Sequence, residues 1–453
     1  MKHTWKWIVP VMLNQKEECF KGYLDIFRNM QVDMALLVAD SFPEGKVLTA
    51  GSSREYAEKL REKREYFESN GIRAGCYMGR TIGHSAAMSS TGRTETPLFR
   101  EIVGPEGDVI TGCYCPLDKN FQKYMAMVFK AIALSDITFI LIDDDFRMHQ
   151  RDAEEKLGCF CPLHIKEFNK RTGLQLSRAQ LVKKVICGKP NTLRDKWLTL
   201  TGDSLIGMAK VIERAVHSVN THIRIGLAVS HSHWFAEGIE MMGLLKALSG
   251  GTKPFIRILG APYGTQAPDA ISHILEYTRL QYGWIKKYDV EVVTEGDTFP
   301  HTRFYCSATM LHSYTQFMLA SGMPGILYMV VAYSPKPDHE TGYIKNSIKY
   351  ITHYEAIRKF FPQNYEDLGL NVVLTQNSCK NLTASGSVTQ AMNEWPGEFI
   401  PPVLGAISRL SLPLKYNDTH GPTLLSGHNV SVLKEKELDG FFDTVATLPA
   451  SSA

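Results

Sequence analysis

Three consecutive aspartates, Asp143, Asp144 and Asp145, close the apolar run "FILI" at 139–142, and Arg147 follows two residues on. Like charges at the exit of a buried segment repel one another and are costly to desolvate. The same repulsion can hold one carboxyl protonated near neutral pH while its neighbour stays ionised, which is the division that proton transfer to a leaving group needs. A second acidic group closes the run that begins "VEVVTE" at 290, where "TEGDTFPHTR" supplies Glu295, Asp297, His301 and Arg303. An aspartate at a loop start often caps a helix or pairs with a cation. A glutamate ending a buried strand has little capping role, so Glu295 reads as functional.

Cysteines provide a different chemistry. "GCFCPLHIKEF" at 158–168 holds Cys159, Cys161 and His164, and "GCYCPLD" at 112–118 supplies Cys113 and Cys115. Thiolates and imidazoles suit tetrahedral zinc, and three such groups in six residues plus a distant fourth describe a closed structural site. A structural Zn²⁺ is therefore expected, pinning the loop beyond the aspartates, and no organic cofactor is expected. Cys187, Cys306 and Cys379 are isolated and read as packing residues.

Positioning these groups requires regular elements. Short apolar runs occur at 7–13, 33–39, 72–78, 137–142, 223–229, 255–261, 290–295 and 325–331, separated by amphipathic stretches. In "SSREYAEKLREKREYFESNG", Tyr56, Leu60 and Phe67 share a face, Ser52 or Ser53 can cap the start, and Asn70-Gly71 can end it. Eight β-then-α units predict a closed (β/α)₈ TIM barrel over 1–365. In such barrels chemistry sits at the C-terminal strand ends. There the chain places His84 after the third run, the aspartates and Arg147 after the fourth, and His231, His233 and Trp234 after the fifth. Tyr263 follows the sixth and Tyr333 the eighth. The acid clusters of runs four and seven should then face each other across the barrel. Residues 366–453 begin a small α/β domain that ends before its sheet could close, so the chain is expected to be a truncated piece or to carry an unusually short second domain.

Composition narrows the partners. With 50 Lys and Arg against 47 Asp and Glu, the net charge is +3, and no basic run marks a nucleic-acid or membrane surface. The N-terminus lacks the apolar length of a secretory signal, and no stretch approaches the roughly 18 apolar residues of a membrane span. Nine cysteines, an odd number in a long chain, predict a reducing, cytoplasmic setting.

"FILIDDDFR…GCFCPLHIKEF" resembles the segment of family 42 β-galactosidases in which a strand ends in Asn-Glu-Tyr and a zinc-binding cysteine cluster follows. On that pattern Asp144 takes the Asn position, Asp145 the Glu acid/base position and Phe146 the Tyr. Cys159 and Cys161 match two zinc cysteines, His164 replaces a third, and "YCP" points to Cys115 as the remote ligand. Glu295 matches the nucleophile of the wider clan of retaining (β/α)₈ hydrolases. The segment from about 371 resembles the start of that family's flavodoxin-like trimerisation domain, which implies a homotrimer. "DDDFR" is closer to the related three-domain enzymes that include family 164 β-mannosidases.

The expectation is a retaining, exo-acting β-glycosidase of galactoside or mannoside type. Asp145 is its acid/base, Asp144 the reserve, and Glu295 the nucleophile. Trp234 and Tyr263 would stack on sugar. His84, Asp143, Arg147, His231, His233, Asp297, His301, Arg303 and Tyr333 would contact hydroxyls or carboxylates of an oligosaccharide or glycoside. Two other readings stay open: a Mg²⁺- or Mn²⁺-dependent transferase or hydrolase built on Asp143–Asp145, and a barrel that binds sugar without turnover.

Overall fold

The computed structural model describes residues 5–440 except 85–98, 152–154, 230–232, 262–269, 300, 332–335, 363–367, 396–402, 418–420, 426–429, 431 and 437. Eight parallel strands close into a barrel: β1 (Lys6–Met12), β2 (Met34–Asp40), β3 (Arg73–Gly79), β4 (Phe139–Ile142), β5 (Arg224–Ala228), β6 (Phe255–Ile258), β7 (Glu291–Asp297) and β8 (Gly325–Met329). Each strand pairs with its sequence neighbour and β8 returns to β1, as the alternation of runs and helical stretches predicts. Strands covered on both faces read as continuous apolar runs rather than alternating ones, which is why all eight fall on the runs identified in the sequence.

Period-two alternation divides each strand between two cores. Ile8, Leu36, Tyr77, Phe139, Leu141, Phe255, Val293, Leu327 and Met329 fill the barrel interior. The alternate positions pack outward against the helices in one larger cluster. Gly226 fits this scheme: a Cβ there would lie 2.8 Å from the Phe255 ring, so β5 leaves the space that Phe255 occupies. The helix Ala50–Glu68 buries Leu60 and Phe67 as expected. Its cap, however, is Thr49, whose hydroxyl accepts from the Ser52 amide in a capping box, rather than Ser52 or Ser53.

Two connections carry insertions that matter for the site. Between β3 and β4 lies an antiparallel hairpin, Glu101–Val103 with Val109–Tyr114, leading to Cys115. Between β4 and β5 come a second short hairpin, Gln150–Arg151 with Glu155–Lys156, and the helices Pro162–Thr172, Arg178–Ile186 and Thr192–His217. After the barrel, Leu370–Val372 forms the middle of a three-stranded parallel sheet, flanked by Leu414–Tyr416 and Thr423–Leu424. This unit is tied to the barrel's helices. The Trp284 indole N–H donates to the Leu374 carbonyl at 2.7 Å, and the Tyr416 hydroxyl donates to the Glu276 carboxylate.

Candidate active site and metal centre

Phe139 and Leu141 face the barrel interior, so Asp143, two residues further, does the same; Val293 likewise brings Glu295 inward. Both carboxylates line a cavity of about 410 Å³ with Tyr77, Gly79, Arg80, His84, Asp144, Asp145, Arg257, Leu259, Asp297, Phe299, Tyr305, Val38 and Met329. Joining them is Arg257, on β6. Its Nη1 lies 2.7 Å from Glu295 Oε1, and its Nη2 lies 3.6 Å from Asp143 Oδ1 and donates to the Tyr77 hydroxyl at 3.1 Å. Arg257 and Glu295 are each 3 % exposed, a buried ion pair. Burial works against the guanidinium's charge, but Glu295, Tyr77, Asp144 and Asp143 together hold it well above its ordinary value. The acids of β4 and β7 therefore meet at one cation on the inner wall.

The three aspartates have three environments. Asp143 Oδ1 accepts from the Tyr77 hydroxyl at 2.6 Å and from the Asp144 amide at 2.7 Å. Asp144 lies 3.6 Å from His84 Nδ1 and 3.5 Å from Arg147 Nη1. Asp145 is buried, its Oδ2 accepting from the Thr81 amide at 2.8 Å and its Oδ1 from the Thr81 hydroxyl at 2.7 Å. Burial, then the Asp143 charge, raises the Asp145 carboxyl well above the usual carboxylate range; Thr81 and Arg147 oppose the shift less strongly.

Not every residue expected here reaches the cavity. Arg147 is fully buried and braces the loop instead, its Nε donating to the His149 carbonyl at 2.9 Å, with further bonds to the carbonyls of Asp144 and His84. Trp234 is also buried, its indole N–H donating to the Phe146 carbonyl at 3.3 Å, so it packs the loop rather than offering a stacking face. Arg303 is exposed with its guanidinium over the Phe304 ring. The His301 side chain meets Asp297 at 2.9 Å. Asp297 and His84 line the cavity as expected. His231, Tyr263, Tyr333 and the side chain of His233 lie outside the described residues. Missed altogether were Arg257, Tyr77 and Thr81. The first had a readable signal: a lone cation at an inward position of "FIRILGA" needs an acid inside the barrel.

The residues of the cysteine cluster come together in space. Cys115, Cys159, Cys161 and His164 are all buried, and one ligand-type atom from each lies within 4.8 Å of all the others. Sγ of Cys115 is 3.6 Å from Sγ of Cys161, and His164 Nδ1 is 3.4 and 3.6 Å from those two sulfurs. For zinc with Zn–S near 2.3 Å and Zn–N near 2.0–2.1 Å, tetrahedral edges are about 3.8 Å between sulfurs and about 3.6 Å from sulfur to nitrogen. The donor set fits that ion. His164 Nε2 lies 3.2 Å from the Ser204 hydroxyl, an orienting contact of the kind that fixes a ligand ring. Hydrogen bonds from Cys115 and Cys159 hold Cys161 far below a thiol's ordinary value, whereas burial raises the other two. Cys113 stands outside the group.

No protein family matches the chain by sequence, and no curated protein does. Solved structures do resemble it. The β-galactosidase of the Antarctic haloarchaeon Halorubrum lacusprofundi superposes with a TM-score of 0.61 at 11% identity, over 92% of this chain and 67% of that one. The enzyme of the psychrophilic Marinomonas ef1 gives 0.60 at 8% identity, over 92% and 70%. That of Bacillus circulans sp. alkalophilus gives 0.57 at 11% identity, over 93% and 66%. The chain thus spans about two thirds of the length of these proteins, and the likeness establishes the barrel fold.

Proposed function

We propose that the chain is a retaining glycoside hydrolase that releases a terminal sugar from β-glycosides of galactoside or mannoside type. The observation that carries this is the Arg257 bridge, which joins Glu295 on β7 to Asp143 after β4 in one cavity. Glu295 attacks the anomeric carbon, and Asp145 protonates the departing oxygen. Asp145 has the raised carboxyl that a general acid requires. Its Oδ2 faces a backbone amide, which only donates, so the acid proton resides on Oδ1, beside a hydroxyl that can turn. Asp143, Asp297 and His84 line the cavity that would receive the sugar hydroxyls. In the second half-reaction Asp145 accepts a proton from the water that frees Glu295.

Replacing Glu295 by Ala should lower aryl β-glycoside hydrolysis by roughly three orders of magnitude or more. Added azide should restore turnover as a glycosyl azide, and full activity of the variant would refute the reading. A panel of aryl β-galactoside, β-mannoside, β-glucoside and α-arabinoside substrates, compared by kcat/KM, assigns the sugar.

The cysteine geometry supports one structural Zn²⁺ per chain on Cys115, Cys159, Cys161 and His164; elemental analysis below about half an equivalent would remove it. All nine cysteines are buried and none is in a disulfide, which fits a reducing compartment. Exposed Leu368, Leu410 and Leu412 on the C-terminal unit fit a homo-oligomer, which sedimentation tests.

A second reading has one observation behind it. Ligand atoms of His84, Asp143 and Asp144 lie within 4.8 Å of one another, a group that could take a divalent cation. Arg257 beside Asp143 already supplies positive charge there and repels another. Activity abolished by EDTA and restored by Mg²⁺ would favour this reading over the first.

A further inference from the structure

Asp143–Asp145 sit on a loop, and a loop holds a reacting group to fractions of an ångström only if its backbone is fixed by neighbours. The segment that follows the aspartates, Phe146–His149, is gripped from one side by the loop after β5. There the helical turn His233–Ala236 ends at Glu237, which is 1 % exposed. One oxygen of Glu237, Oε1, accepts from the amides of both Met148 and His149. The other has no partner among the described residues. Trp234, three residues earlier, holds the Phe146 carbonyl. A Cβ on Gly158 would fall 2.5 Å from the Met148 carbonyl oxygen, so the chain leading into the cysteine cluster is packed directly against the same residue.

Glu237 itself is fixed. Its carbonyl accepts from the Thr201 hydroxyl at 3.0 Å, and Gly238 lies so close to the helix Thr192–His217 that a Cβ would be 2.2 Å from the Leu198 carbonyl. That helix also carries Ser204, against His164, and Trp197, stacked on Phe160 at 4.5 Å. A carboxyl buried completely costs stability unless it is doing something that an apolar residue of its size cannot. Taking two adjacent amides with one oxygen is such a task.

We propose that Glu237 is a positioning residue: by accepting the Met148 and His149 amides it fixes the turn after β4 and so aims the Asp145 carboxyl at the glycosidic oxygen. This rests on the glycosidase reading for its catalytic part, while the clamp itself is a statement about the loop alone.

The test compares Glu237→Gln and Glu237→Leu, both checked by thermal melting, on two β-glycosides of the same sugar. One carries a methoxide leaving group, which must be protonated as it departs; the other carries 2,4-dinitrophenolate, which leaves without help. Loss of a well-placed general acid is expected to cost roughly a hundredfold or more on the first and only a few-fold on the second. The expected result is that Glu237→Leu shows this split in kcat/KM, which reads departure of the leaving group and not the later step in which Asp145 acts as base. Glu237→Gln, which keeps an acceptor oxygen, should recover most of the loss on the methyl glycoside. Equal losses on both substrates, or wild-type rates on both, would overturn the proposal. Hydrogen exchange of the peptide spanning 143–150 reads the clamp without turnover. Faster exchange is expected in Glu237→Leu, and in Glu237→Asp should the former fail to fold; unchanged exchange overturns the clamp. If the wild-type chain cleaves neither glycoside, the glycosidase reading and the aiming role fall, and the exchange result still decides the clamp.

Discussion

The roles of the aspartates are decided by what each side chain touches, since the three share one sequence environment. Asp143 shares Arg257 with Glu295, and that cation keeps charge on the inner wall. Asp145 is removed from the cation, buried, and pushed toward its neutral form by burial and by Asp143. One methylene shorter than the glutamate its position resembles, it reaches Thr81 with both oxygens. On the proposed assignment of Asp145 as the acid, Thr81 tunes it. Its hydroxyl stabilises the ionised form, so Thr81→Val removes a downward influence and raises the Asp145 carboxyl further. A general acid must be protonated to work, so activity falls as pH rises through its pKa. The alkaline limb of the pH–kcat/KM profile of Thr81→Val should accordingly move to higher pH, with the amide contact to Oδ2 retained. A limb that moved to lower pH, or stayed in place, would assign the acid elsewhere in the cluster. Asp145→Asn should cost about 10²- to 10⁴-fold on poor leaving groups. These residue-level assignments were only partly legible. Runs ending in acids marked the two strand ends whose carboxylates line one cavity. The direction of a side chain in an irregular loop has no period to read, so Arg147 and Trp234, which follow the strands closely, were expected at the sugar and instead brace the loop.

At the scale of elements, the loop after β4 is held by two devices that differ in how they respond to conditions. With the proposed Zn²⁺ in place the cysteine cluster responds to metal: at neutral pH, a chelator that strips it should lower the melting temperature and speed exchange in 158–168 before the barrel strands open. Glu237 responds to pH. Burial raises its carboxyl to about 8, with the His149 and Met148 amides and Arg147 pulling the other way. An unfolded glutamate titrates near 4.5. Between those values the folded chain keeps a proton that the unfolded chain has lost, so this group's contribution to stability declines as pH rises from about 4.5 to about 8 and levels off above. Glu237→Gln cannot titrate. Its melting temperature relative to wild type should rise steadily from pH 5 to pH 8; a constant difference would mean that the carboxyl is ionised throughout. Cys159, Cys161 and His164 were readable in sequence because they fall within six residues, whereas Cys115 was set apart from Cys113 only by the resemblance. Glu237 was not, because nothing in "HWFAEGIE" shows that its partners are amides a long way back in the chain.

For the whole molecule, the barrel could be read from sequence because its strands, covered on both sides, spell eight apolar runs. The C-terminal unit could not be read so fully, because its three strands are two or three residues each and lean on the barrel for burial. Arg194 is the point where that dependence concentrates. Its guanidinium is fully buried and satisfied by backbone: Nε donates to the Val185 carbonyl at 2.7 Å, Nη2 to the carbonyls of Ile186, Cys187 and Gly188 at 3.0, 3.2 and 2.9 Å, and Nη1 to that of Leu382. It also lies 5.4 Å from the centre of the Trp395 ring, whose N–H returns to the Ile186 carbonyl at 3.0 Å. Five carbonyls from both sides of the junction thus accept from one cation. Arg194→Met keeps much of the apolar volume and leaves Ile186 and Gly188 their bonds from Trp395 and the Ala384 amide, but takes the guanidinium donor from the carbonyls of Val185, Cys187 and Leu382, each costing about 1–3 kcal/mol where water cannot replace the donor. A net loss of about 3–5 kcal/mol is expected. If the unit is docked rather than integral, the loss should be local: exchange should accelerate across 370–395 and around 186–188 while the β1–β8 amides stay protected and hydrolysis persists. A single cooperative loss, with strand amides exchanging at the same lowered free energy as the tail, would show instead that the barrel helices and the C-terminal sheet fold as one body, and that removing residues beyond 366 removes the enzyme with them.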